Sequence, residues 1–308
     1  MTYEAFKETL LAELSGHFPP DTSIHIHSIP RNNQVAVDGL TILESGFNIA
    51  PTIYIQEYYD KLQDGASFLD VFRQLLDTYY EYRPLENINP TLFQDFQNMK
   101  DHIVYRLIHY DRNQPLLETI PHLPFLDLAI VFYCLIASND SGTATILIQN
   151  YHLQLWNTNT DELYRLAREN TPTLLSPRFD PLSQMLDELS AFLSPPKGDE
   201  NTASAPTNAS DECPLFPMYV LTNQCRFYGA ACVLYHDLLA DLAANLNTDL
   251  YLIPSSVHEM LIIPATSDMT REDFNRMIQE VNATQLEPEE ILSDHVYYYS
   301  REEMQMRV

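Results

Sequence analysis

The chain has 308 residues, 45% hydrophobic and 11% aromatic, enough apolar material for one core or two. Its 43 acidic against 17 basic residues give a formal net charge of -26, a field that repels phosphate backbones, so nucleic-acid binding is excluded and a basic protein partner is favoured. The longest apolar run, Leu128 to Ala137, is about half of the ~20 residues a membrane-spanning helix needs, and the acidic start MTYEAFKETLLAEL is unlike a secretory signal, so the expectation is a cytoplasmic protein without a membrane segment.

Tyr3, Phe6, Leu10, Leu11 and Leu14 share one helical face, and that helix ends near Ser15-Gly16. A β-hairpin follows, with Ile24, Ile26 and Ile29 in one arm, a turn at Arg31-Asn32-Asn33, and Val35, Val37 and Leu40 to Leu43 in the other. His25 and His27 lie on one strand face without a nearby acidic or thiol partner in sequence, so they read as an exposed face and not a metal site. Thr52 to Ile55 reads as a strand, Tyr58-Tyr59 as the start of a short helix, and Ser67 to Tyr82 as a long helix capped by Ser67. The spacing of Phe93, Phe96, Met99, Ile103, Val104 and Leu107 predicts a second long helix over 92–108. On that helix Asp101, His102, Arg106, His109 and Asp111 would be surface ion-pairing groups.

Pro115, Pro121 and Pro124 punctuate a crossing segment. They divide the chain into an N-terminal part, 1–115, and a C-terminal part, 116–300, with a polar tail at 301–308. Leu128 to Ala137 reads as a buried strand and Asn139 to Gly142 as a turn, with further strands at Thr143 to Ile148 and His152 to Trp156. Thr160 caps a helix ended by Thr171-Pro172, and Leu182 to Leu193 forms another. Ser194 to Cys213 has no large apolar residue and reads as a disordered insertion. Pro217 to Ala265 is the centre of the C-terminal part. It holds a strand ending at Asn223-Gln224, an amphipathic helix from Gly229 to the Asn245/Asn247 stop, and a hairpin of Leu250 to Ile253 with Met260 to Ile263. Thr270 caps a helix with Asp273, and Val296 to Tyr299 is a last strand. The fold class is therefore α+β, with a mixed or antiparallel C-terminal sheet flanked by helices; the hairpin that follows the helix so closely argues against a doubly wound sheet.

Several segments, LTN (Leu221 to Asn223), YGAACVLY (Tyr228 to Tyr235), LYLIPSSVHE (Leu250 to Glu259) and the stretch Val281 to Tyr299, together with NNQVAVDGLTI, APTIYIQEYY, DHIVYRLIHYDRN and FLDLAIVFYCLI upstream, resemble an uncharacterised domain-of-unknown-function family of anaerobic, gut-type Gram-positive bacteria. The resemblance spans most of the chain. It implies no activity, ligand or catalytic residue.

No GxGxxG, GxxxxGK[ST], GxSxG or HExxH pattern occurs, which removes the commonest phosphate-cradling, nucleophile-elbow and zinc-protease signatures, and no cofactor or metal is expected. Cys134, Cys213, Cys225 and Cys232 lack CxxC spacing and read as reduced thiols. One constellation has the residue types for chemistry: Ser255, Ser256, His258 and Glu259 on one turn, with Asn223, Cys225 and Arg226 on another. If the turns meet, a hydroxyl, an imidazole and a carboxylate converge; otherwise the serines satisfy turn amides and His258 and Glu259 simply begin a strand. Two function classes follow. One is a non-catalytic, acidic interaction or regulatory protein, whose 19 tyrosines suit an interface. The other is a hydrolase-like enzyme acting on a small molecule or peptide through the region of Asn223, Ser256, His258 and Glu259.

Overall fold

The computed structural model describes residues 1–84, 87, 91–139, 142–186, 217–266 and 269–308. The expected insertion at 194–213 and most of the Leu182 to Leu193 helix lie outside them. The fold is α+β, and among the described residues every strand pairing is antiparallel. The chain divides into two compact units, Met1–Gln94 and Asp95–Val308.

In the first unit, helix α1 (Tyr3–His17) is followed by strands β1 (Ser23–Pro30), β2 (Ala36–Leu43) and β3 (Thr52–Tyr54), then by helices α2 (Gln56–Gln63) and α3 (Phe68–Tyr82). These match the sequence reading closely, because amphipathic spacing and turn chemistry agree at each element. Phe6, Leu10 and Leu14 of α1 pack with Leu40, Ile42, Leu75 and Tyr79 into one buried core. Ser67 caps α3 by accepting the Asp70 amide at 3.2 Å. His25 and His27 are exposed.

The second unit holds two sheets. In one, β6 (Leu128–Asn139) is central: β4 (Ile103–His109) lies on one edge, and β5 (His122–Phe125) and β7 (Gly142–Leu147) pair with successive stretches of the other. The other sheet runs β13-β12-β10-β11-β9-β8. Its strands are β8 (Pro177–Pro181), β9 (Tyr219–Asn223), β10 (Leu250–Ser256), β11 (Glu259–Pro264), β12 (Tyr297–Ser300) and β13 (Gln305–Arg307). Helices α4 (Asn150–Trp156), α5 (Thr160–Leu174), α6 (Leu238–Leu246) and α7 (Arg271–Thr284) connect them.

Here the structure corrects several expectations. Residues 103–109 form β4 and not a helix: all but Arg106 are buried, so the apolar run covers both faces of a strand and its spacing mimics a helical stripe. Because β4 pairs with β6, residues 95–115, grouped by the prolines with the N-terminal part, fold within the second unit. His152 to Trp156 is helical, opened by a reciprocal bond pair between Gln149 and His152. Helix α5 starts from Asn159, not Thr160, and continues through Pro172 to Leu174. The expected helix from Gly229 is a 3-10 turn, Gly229–Leu234, broken at Asp237 (φ 60) before α6. At that break the Tyr235 hydroxyl is buried on the Leu175 carbonyl at 2.7 Å. The polar tail adds a short edge strand, β13, to β12.

A polar network ties the two sheets. Asp127, on the tight β5–β6 turn beside left-handed Leu126 (φ 55), accepts the Ser293 hydroxyl at 2.6 Å and the Tyr297 hydroxyl at 2.7 Å. Asp294 accepts Arg112 at 2.6 Å and Asn282 at 2.8 Å, and these partners hold its carboxyl below the usual range despite burial. Tyr297 is fully buried, so Asp127→Ala strands its hydroxyl and is expected to cost about 3 kcal/mol. Thr270→Ala, which removes only the α7 cap, is expected to cost about 1 kcal/mol. Urea midpoints of the two variants against the parent check that ordering.

Candidate functional site

The two turns singled out in the sequence do meet, at the end of β9 and the tip of the β10–β11 hairpin. β9 closes on buried Asn223. Its side chain brackets the next turn: the Nδ2 amide donates to the Phe227 carbonyl at 2.8 Å, and Oδ1 accepts the Phe227 N–H at 3.2 Å. The Arg226 N–H reaches back to the Asn223 carbonyl at 3.0 Å. Arg226 and Tyr228 both stand in the left-handed region at φ 51, where a side chain with a Cβ costs roughly 1–2 kcal/mol. That loop is held in shape by its contacts, not by local preference.

Gly229 follows, and the backbone here is crowded. A Cβ would stand 2.2 Å from Thr222 Oγ1, 2.6 Å from the His258 carbonyl and 2.7 Å from the Asn223 nitrogen. On the hairpin side, Ser256 pairs with Glu259 across a two-residue turn of Val257 and His258. The Ser256 hydroxyl accepts the His258 N–H at 3.0 Å, and the Thr222 hydroxyl donates to the His258 carbonyl at 2.8 Å. The Val257 N–H donates to the Glu290 carbonyl at 2.9 Å. The Ser255 hydroxyl donates to Glu259 at 3.1 Å.

His258 joins the turns. Its Nδ1 accepts the Tyr228 N–H at 3.2 Å, and its ring stacks on Tyr228, centroids 5.4 Å apart at 22°. Burial lowers the His258 pKa below its ordinary value, with Arg106 acting in the same sense and Glu290 and Glu259 against it. The imidazole is therefore neutral at pH 7, and with Nδ1 occupied the proton sits on Nε2, 3.8 Å from Glu290. A ring so held has no free lone pair with which to act as a base. Nor does a hydrogen bond join the Ser256 hydroxyl to that ring.

The structure thus brings Asn223, Ser256, His258 and Glu259 to one joint, where the first three bond turn backbone and Glu259 accepts the Ser255 hydroxyl. Arg226 and Cys225 point to the exposed side of the turn. Sequence reasoning missed Arg106, Tyr133, Tyr228 and Glu290. The Arg106 guanidinium carbon lies 4.3 Å from the Tyr228 ring centre and 5.9 Å from that of Tyr133. The β-branched and aromatic character of IVYRLI was the available signal: as a strand it places Arg106 beside the residue facing Tyr133, since Val104 pairs with Tyr133 and Arg106 with Val131. Among the described residues no group of three His, Cys, Asp or Glu side chains converges as a metal site, and no helix is long and apolar enough to cross a membrane.

A family model described as a family of unknown function, DUF5688, matches residues 3–301. The chain belongs to the DUF5688 family. No curated protein and no solved structure matches it. The DUF5688 match takes in both units, so strand β4 and the two turns all lie within the family's span.

Two outcomes follow for this joint. Gly229→Ala drives a methyl into backbone that cannot yield and is expected to cost ~2–3 kcal/mol, read as a lowered urea midpoint. Because the folded pKa of His258 is depressed, its stability contribution is complete above the unfolded value of about 6.5 and is lost as the pH falls below it. His109 and His152, also lowered by burial, act in the same direction. Stability is therefore expected to fall between about pH 7.5 and about pH 5, and less steeply in His258→Gln, as urea unfolding across that range will show.

Proposed function

We propose that the chain is a non-catalytic interaction protein of the cytoplasm whose acidic surface docks a basic protein partner. The observation that carries this reading is the bonding of the turn residues. Asn223 is spent at both ends of its amide, His258 Nδ1 on a backbone N–H and the Ser256 hydroxyl on another. Each of these groups is engaged with backbone and no hydrogen bond pairs a nucleophile with a base among them, which supports an architectural role over turnover. The net charge of -26 supports a basic partner by raising its encounter rate.

Salt tests the reading, because screening shortens the reach of surface charge from about 10 Å at 0.1 M to about 3 Å at 1 M. Immobilised protein is expected to retain polylysine and basic proteins at low salt and release them as salt rises. Reversing exposed carboxylates, as in Glu287→Lys with Glu302→Lys, should weaken retention. Equal retention of acidic and basic proteins, or binding indifferent to salt, overturns the proposal.

A further inference from the structure

Two donors at this joint, on Arg106 and Tyr133, lack an acceptor. Arg106 makes neither a hydrogen bond nor an ion pair among the described residues; its guanidinium lies over the Tyr228 and Tyr133 rings instead. Its Nε is shut off from solvent without an acceptor, and so is the hydroxyl of Tyr133, a residue only 2% exposed. Burial raises the Tyr133 pKa and the Arg106 charge opposes that rise, so the two groups are within electrostatic reach of each other. Two buried donors on neighbouring strands, each lacking an acceptor, are costly to leave unmet.

We propose that Arg106 and Tyr133, walled by Tyr228, form a recognition site for a small carboxylate. A guanidinium presents parallel N–H groups that match the two oxygens of a carboxylate, and the tyrosine hydroxyl supplies a further donor. The choice of carboxylate over phosphate rests on the surroundings. Glu259, Glu289 and Glu290 all act electrostatically on His258, which stacks on the same Tyr228 ring. A second negative charge on the ligand doubles their repulsion. The rings of Phe227 and Tyr228, 4.3 Å apart, offer apolar surface to the body of an unsaturated or aromatic acid. The proposal stands independently of the basic-partner reading, since it concerns one positive group within an acidic chain.

The test is an NMR titration of the full chain with benzoate, following the ring protons of His258 and Tyr228. Benzamide serves as the neutral isostere, inorganic phosphate as the dianion, and a short peptide with a free or an amidated C-terminus asks whether the carboxylate comes from a chain end. Saturable shifts with benzoate and none with benzamide are expected. Tyr133→Phe, which removes one oxygen, is expected to weaken binding about tenfold, and Arg106→Gln to abolish it. Binding of the free-terminus peptide but not its amidated twin supports the proposal and assigns the source to a polypeptide end; binding of benzoate alone supports it and assigns a free acid. Should Arg106→Gln fail to fold by circular dichroism, Tyr133→Phe decides. No saturable shift with benzoate or the free-terminus peptide, equal response to benzoate and benzamide, tighter binding of phosphate, or full affinity in Tyr133→Phe overturns the proposal.

Discussion

The second unit depends on the closeness with which Gly229 approaches its neighbours. The space where a side chain would begin is filled by the Thr222 hydroxyl, the His258 carbonyl and the Asn223 nitrogen. Only because that space is empty of a Cβ do β9 and the β10–β11 hairpin tip reach hydrogen-bond distance through Thr222 and Tyr228. The close approach also sets the positions of the rings: Tyr228 must turn left-handed to enter the glycine, and in doing so presents its face to His258 and Arg106. Strain in the loop and order among the rings are two consequences of one backbone contact.

Stabilisation of that contact comes from side chains that resemble catalytic groups. Asn223 acts as a two-ended clamp on Phe227, and His258 is an acceptor fixed in its tautomer by a main-chain N–H. In a buried setting such bonds are worth most when every member is satisfied. The same residue types would serve an acid/base mechanism if the imidazole nitrogen faced a hydroxyl. What separates the two roles is the direction of one hydrogen bond, and spacing along the chain carries no information about direction.

Legibility in the sequence followed the range of the interactions. Helices α1 and α3 and the β1–β2 hairpin were readable because caps, turns and apolar period lie within a few residues of each other. The β10–β11 hairpin was readable too from its two apolar runs, although β10 continues through Pro254 to Ser256. Strand β4 was not, since a doubly buried strand loses its two-residue alternation and its identity is set by β6, distant in sequence. At the site, the convergence of the Asn223 and His258 turns was open from the residues, whereas Arg106, assigned to a helix surface, could not be placed until the strand was. Glu290 enters from a remote segment, through its main-chain contact with Val257 and its carboxylate beside His258.

The two arginines at and just beyond β4 show how environment sorts like side chains in an acidic chain. Arg112, in the turn after the strand, meets Asp294 at 2.6 Å, within a network whose remaining oxygens are also bonded. Its charge is neutralised on the spot, and the arrangement reads as a fastening between the sheets. Arg106, six residues earlier on the strand, faces aromatic rings whose quadrupole accepts a cation without neutralising it. Carboxylates are abundant in this chain, so the lack of one at Arg106 reflects its surroundings: the positions around it are taken by Tyr133, Tyr228 and His258, and an acidic residue placed among them would be desolvated beside Glu290 and Glu259. A cation held by rings keeps its outward N–H groups available for an acceptor that arrives from solution, whereas one matched by a built-in carboxylate does not.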